Sequence, residues 1–128
     1  MVIVNFDSKK GILDSKFEGI VTLEEIIDYI HATKDNTAYP RFLKILTDAT
    51  RAEMNFPGDA LSRIVDANNL SLEKYDAIVD AIVISTPRET ALSMLYEELS
   101  KAQKYRFKVF STREAATEWL DGISSSKN

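Results

Sequence analysis

Three places in this chain put a hydroxyl residue next to an arginine: Thr50-Arg51, Ser85-Thr86-Pro87-Arg88 and Ser111-Thr112-Arg113. Each follows a run of apolar residues that reads as a β-strand. A hydroxyl, a guanidinium and the free amides of a helix amino terminus together suit an anion, above all a phosphate. Arg88 and Arg113 fall in the first turn of a helix, where the helix dipole disfavours a cation. A bound anion would account for them. The plain alternative is that Ser and Thr are ordinary caps, and that Arg88 and Arg113 pair with Glu89 and Glu114 or extend into water. Met54 and Phe56 flank the same region. They could form an apolar lid over a pocket, a patch for a partner, or a small cluster folded onto the core. Asp48 could serve as a general base or metal ligand if Glu53 or Asp59 stood near it. Its simpler role is to organise a turn by accepting backbone amides. The candidate ligand-binding set is therefore Asp48, Thr50, Arg51, Met54, Phe56, Thr86, Arg88, Thr112 and Arg113.

Other chemistries find little support. There is one histidine, His31, and no cysteine, so a zinc centre or a thiolate nucleophile is not expected. His31 lies beyond the apolar stripe of a helix, so a Ser-His-Asp triad has no support either. The four glycines are isolated, and no glycine-rich phosphate loop exists. No catalytic residue, metal or cofactor is assigned, and the reading is that the protein is not an enzyme. Tyr39, Phe42, Tyr105 and Phe107 could stack on nucleic acid. A formal net charge of −4 and the lack of a basic stripe count against that partner.

The elements that must position these residues follow from periodicity. The organising stretch is Phe42 to Arg51, read as a central strand that stops abruptly in a polar loop, with Asp48, Thr50 and Arg51 just past its carboxyl end. Its apolar residues fall on both faces, as in a sheet covered by helices on both sides. Lys44 interrupts the run and can snorkel. Ligands of open α/β sheets sit at the carboxyl ends of such strands. Before it, Val2–Phe6 and Ile12–Gly19 alternate as a hairpin joined at Asp7–Gly11. Thr22-Leu23-Glu24-Glu25 is a capping box that opens a helix with Leu23, Ile26, Ile27 and Ile30 inward. After the centre, Ala52–Gly58 reads as a loop. Asp59 starts a helix with Leu61, Ile64, Val65 and Asn68 inward and a weak point at Asn68–Ser71. Ala77–Ser85 holds a buried strand. Thr86-Pro87-Arg88-Glu89 is a second capping box, opening a helix whose inner stripe is Ala91, Leu92, Leu95, Tyr96, Leu99 and Ala102, with Glu97 and Lys101 paired outside. Tyr105–Phe110 is the last strand. Ser111-Thr112-Arg113-Glu114 is a third capping box, before a helix burying Ala116, Trp119, Leu120 and Ile123.

The fold class is α/β: a single mixed, mostly parallel five-stranded sheet with four helices, in the order β-β-α-β-α-β-α-β-α. Residues 1–123 form one domain and residues 124–128 a frayed tail. A chain of 128 residues with 45% hydrophobic and 28% charged content suits one globular domain. The start, Met1 to Phe6, lacks the basic region and apolar core of a signal peptide. No apolar run is long enough to span a bilayer. A cytoplasmic location is expected.

The element order resembles that of the STAS domains. The stretch Phe110-Ser111-Thr112-Arg113-Glu114-Ala115-Ala116-Thr117-Glu118-Trp119-Leu120 resembles the ending of a SpoIIAA-like branch that is akin to the CRAL-TRIO lipid-transfer domains. Antagonists of the SpoIIAA type carry an Asp-Ser-Ser-Gly motif at the helix after the central strand, with a serine phosphorylated by a partner kinase. The corresponding stretch here is Phe56-Pro57-Gly58-Asp59-Ala60-Leu61-Ser62. Asp59 matches the aspartate, and Ala60 and Leu61 stand in place of the serines. The resemblance thus implies a non-enzymatic binding or regulatory module acting on an unknown protein partner without the usual phosphoserine switch. The alternative is a carrier or sensor of a small anionic or lipid-like ligand at the carboxyl strand ends, held by the arginines and covered by Met54 and Phe56. A homodimer is compatible with either reading.

Overall fold

A computed structural model describes residues 1–123; the expected frayed tail, 124–128, lies outside the described residues. Five strands form one sheet: β1 (Val2–Asp7), β2 (Ile12–Val21), β3 (Phe42–Met54), β4 (Ala77–Val83) and β5 (Tyr105–Phe110). The helices are α1 (Leu23–Asp35), α2 (Leu61–Leu72), α3 (Pro87–Leu99) and α4 (Arg113–Asp121), with a single 3-10 turn at Gly58–Ala60 before α2. The spatial order is β1-β2-β3-β4-β5. β1 is antiparallel to β2 and lies at the edge, and the other pairs are parallel.

This topology dictates the layers. Each crossover from β2 to β5 steps one strand in the same direction. Right-handed crossovers then put α1, α2 and α3 on one face. α4 follows the last strand, has no crossover to complete, and covers the other face. The core divides accordingly. The larger cluster, with Leu13, Phe17, Leu43, Ile45, Ile78 and Ile82, lies under α1 to α3. The smaller one, with Leu46, Val79, Ala81 and Val83, lies under Ala116 and Leu120 of α4. Lys44 reaches across this second layer and donates to the Leu120 carbonyl at 2.7 Å. Its charge thereby adds to the Ile123 amide on a carbonyl at the end of α4, where the helix dipole favours a cation.

Local signals hold where they are self-contained. Thr22 and Glu25 form the full reciprocal box: the Glu25 amide donates to Thr22 Oγ1 at 3.2 Å and the Thr22 amide to Glu25 Oε1 at 3.1 Å. The hairpin turn places Gly11 at φ 67°, a conformation that side chains with a Cβ rarely adopt, and Asp7 Oδ1 accepts from the amides of Lys9 and Lys10.

Several expectations need correction. β3 does not stop short of Asp48 but runs to Met54, and β2 runs to Val21 rather than Gly19. The two strands pair beyond a bulge between Lys16 and Glu18, so Asp48, Thr50 and Arg51 lie within a strand. The weak point at Asn68–Ser71 does not exist, because both residues are buried in a continuous α2. The second capping box does not form as such: Thr86 caps no backbone amide with its side chain. In the third, the cap is Thr112, whose Oγ1 accepts from Ala115, so Glu114 has no reciprocal role. Lys101 pairs with Glu98 at 3.2 Å instead of Glu97, because α3 ends at Leu99. Finally, α3 buries Glu89, Ser93 and Tyr96, while Leu95 and Leu99 of the expected inner stripe are exposed.

Candidate functional site

Beyond Val83, which lies opposite Asp48, β4 no longer accompanies β3. Residues 51–54 pair only with β2, and their other edge is open to the amino terminus of α3. The side chains there take the place of a strand. Glu89 Oε2 accepts from the Met54 amide at 3.2 Å. Arg88 donates to the Met54 carbonyl at 2.7 Å and to the Phe56 carbonyl at 3.2 Å, and it contacts Glu89 Oε2 at 3.0 Å. Thr86 Oγ1 donates to Glu89 Oε1 at 2.6 Å. Glu89 is only 5% exposed. The Thr86 hydroxyl, opposed by burial but joined by the Met54 amide and Arg88, holds its pKa below the ordinary value. Thr86, Arg88, Met54 and Phe56 are thus brought together, with both apolar side chains buried.

The other candidates gather on the α4 side. Arg113 donates to Asp14 Oδ2 at 2.6 Å and lies 4.0 Å from Asp48 Oδ2. Asp48 Oδ1 also accepts from the Thr50 hydroxyl at 2.7 Å and the Thr50 amide at 3.1 Å. Burial would raise the Asp48 pKa; the two Thr50 bonds, then the charges of Arg113 and Lys16, outweigh it and hold the carboxylate below its ordinary value. Thr112 is occupied as the cap of α4. Arg51 is exposed in β3 opposite Glu18. The three arginines therefore do not converge: Arg88 holds carbonyls near α3, and Arg113 holds carboxylates near α4. A groove of about 580 Å³ beside Arg113 is lined by Asp7, Asp14, Glu114, Glu118 and Asp121 against Lys10 and Arg113, a surface that repels anions.

A different feature lies under α1 to α3: a cavity of about 90 Å³ against the sheet. Its walls are mostly apolar and include Ile45, Met54, Phe56, Ile64 and Ile82. Polar groups also reach it. Asp80 projects from β4 and accepts from Thr47 Oγ1 at 2.9 Å. Burial pushes the Asp80 carboxyl up to about 7, against the pull of the Thr47 and Tyr105 hydroxyls. Tyr96 donates to the Tyr105 hydroxyl at 3.2 Å. Asn68 of α2 also lines the cavity, and its Nδ2 has no hydrogen-bond partner among the described residues. An orphaned buried donor of this kind costs about 1–3 kcal/mol. Sequence reasoning passed over Asp80 and Thr47. The available signal was a carboxylate inside the apolar run Ile78–Ile84, a position that parallel strands rarely give to a charge.

Among the described residues no group of three His, Asp or Glu side chains could hold a metal ion, and no helix is long and apolar enough to cross a membrane. No protein-family model matches the chain, and no curated protein sequence matches it. Solved structures do. One is an uncharacterised protein of the DUF3478 family with a SpoIIAA-like fold from Shewanella loihica PV-4, with a TM-score of 0.61 and 14% identity, covering 94% of this chain and 92% of that one. Another is the anti-sigma factor antagonist SpoIIAA in its unphosphorylated form, with a TM-score of 0.56 and 12% identity, covering 96% of this chain and 100% of that one. At these identities the likeness establishes the fold.

Proposed function

Given a SpoIIAA-like fold, we propose that this protein is a non-enzymatic, cytoplasmic regulatory module that acts by binding another protein through α3. The fold fits a binding or regulatory role, and one of its structural neighbours is an anti-sigma factor antagonist. The observation that carries the reading is the orientation of α3. Its buried side bears Glu89, Ser93, Tyr96 and the following Ser100, whereas Met94, Leu95 and Leu99 are 59%, 45% and 50% exposed. Exposing three large apolar side chains on one helix is unfavourable in water at about 25 cal/mol per Å². Covering them with an apolar partner surface recovers that energy. The phosphoserine switch is absent in this reading. Ala60 has no hydroxyl, Leu61 is buried, and Ser62 donates to the Asp59 carbonyl at 3.4 Å.

The test is a photo-crosslinking side chain at position 95, with one at exposed position 63 as control, in the protein expressed in its own host. A discrete adduct at 95 that disappears with Leu99→Glu supports the reading. An adduct of twice the chain mass identifies the partner as a second copy. No adduct at 95, or the same adducts at 63, rejects α3 as a contact surface.

A further inference from the structure

The cavity under α1 to α3 is independent of the α3 surface, and its chemistry selects a ligand. We infer that it is a binding site for one small, uncharged, mostly apolar molecule bearing a hydroxyl group, held by Asp80 and Asn68. The volume of about 90 Å³ is several times the roughly 10–15 Å³ that a single buried water needs. This space suits a small molecule on the scale of a single ring. The walls formed by Ile45, Phe56, Ile64 and Ile82 offer water no partners, and a stable buried water needs about two to four.

The polar groups decide the rest. Asn68 is 7% exposed, and its Nδ2 has a proton to donate and no acceptor among the described residues. Asp80 accepts from Thr47 Oγ1 and is also drawn on by the Tyr105 hydroxyl, yet a carboxylate has about four acceptor positions, so it can take a further donor. A hydroxyl is an uncharged group that can either donate to the Asp80 carboxylate or accept from the Asn68 amide. A cation would meet Asp80 favourably but face the Asn68 donor. An anion would face the Asp80 carboxylate. Met54 and Phe56 line the cavity, and their carbonyls are clamped by Arg88, so the apolar wall nearest α3 is fixed in place.

Phenol and toluene test this directly, because they differ by a hydroxyl in place of a methyl. Each is titrated into the full chain at pH 8, above the Asp80 value of about 7 so that the carboxylate is the acceptor, while the isoleucine and leucine methyl resonances are followed. Phenol is expected to shift the resonances of Ile45, Ile64 and Ile82 saturably, with toluene bound at least about tenfold more weakly, the value of one hydrogen bond. Toluene is the more apolar molecule, so burial alone would favour it. Asn68→Leu should lower phenol affinity about tenfold without lowering the melting temperature, since it removes an orphaned donor. Two results overturn the assignment. If neither probe moves these resonances, the cavity holds only water or closes. If toluene binds as well as phenol, the cavity is an apolar void without hydroxyl recognition.

Discussion

Replacing Asp80 by asparagine should change how stability depends on pH more than it changes stability at any single pH. The ordinary value of the carboxyl, 3.8, applies to the unfolded chain, and burial in the folded one raises it to about 7. Between these values the native state holds a proton that the unfolded state has released. Stability therefore falls as pH rises through this window, and the loss is complete above about pH 7. The shift is about three units at about 1.4 kcal/mol each, so the ionised carboxylate costs the native state about 4 kcal/mol at pH 8 relative to acid. Roughly 2–3 kcal/mol of this falls between pH 5 and pH 8. The asparagine of the Asp80→Asn variant cannot ionise, and its amide oxygen can still accept from Thr47. Any difference in that hydrogen bond shifts the variant by a constant and leaves the slope alone. Urea denaturation, followed by the fluorescence of the single tryptophan, Trp119, and by far-UV circular dichroism, should be run at pH 5, 6, 7 and 8. The stability of Asp80→Asn relative to wild type should rise by roughly 2–3 kcal/mol over that range. If the difference stays constant within about 0.5 kcal/mol, Asp80 does not carry a raised pKa and the account of the cavity floor fails.

Two further substitutions test the framework around it. Arg88→Ala removes donors to the Met54 and Phe56 carbonyls and leaves the buried Glu89 carboxylate without its cation, so it should cost about 2–3 kcal/mol in denaturant titrations; a loss below about 0.5 kcal/mol would mark Arg88 as an ordinary surface residue. Thr22→Ala removes the capping box of α1 and should cost about 1 kcal/mol, lowering the melting temperature by about 3–5 °C in calorimetry; an unchanged melting temperature would mean that tertiary packing alone sets the start of α1.

The amino-acid sequence by itself determined what depends on neighbours along the chain. The strand and helix order, the alternation of β2 and β5, and the reciprocal cap at Thr22 and Glu25 all rest on contacts within a few residues. They were legible because periodicity and capping are local. Of the candidate residues, Thr86 and Arg88 stand with Met54 and Phe56, and Asp48 with Thr50 and Arg113. Their roles were not legible. An arginine in a first turn looks alike in sequence whether it awaits an anion or clamps carbonyls more than thirty positions away, as Arg88 does. Tertiary structure also decided the length of β3, because the pairing that extends it comes from β2 and from Glu89 rather than from its own residues. It decided the orientation of α3, whose Leu95 and Leu99 satisfy a helical period yet lose the inner face to Glu89 and Tyr96, since those side chains reach β3 and β5. And it alone brought Asp80 of β4 and Asn68 of α2 to one cavity, because a right-handed crossover lays α2 over the strands it joins.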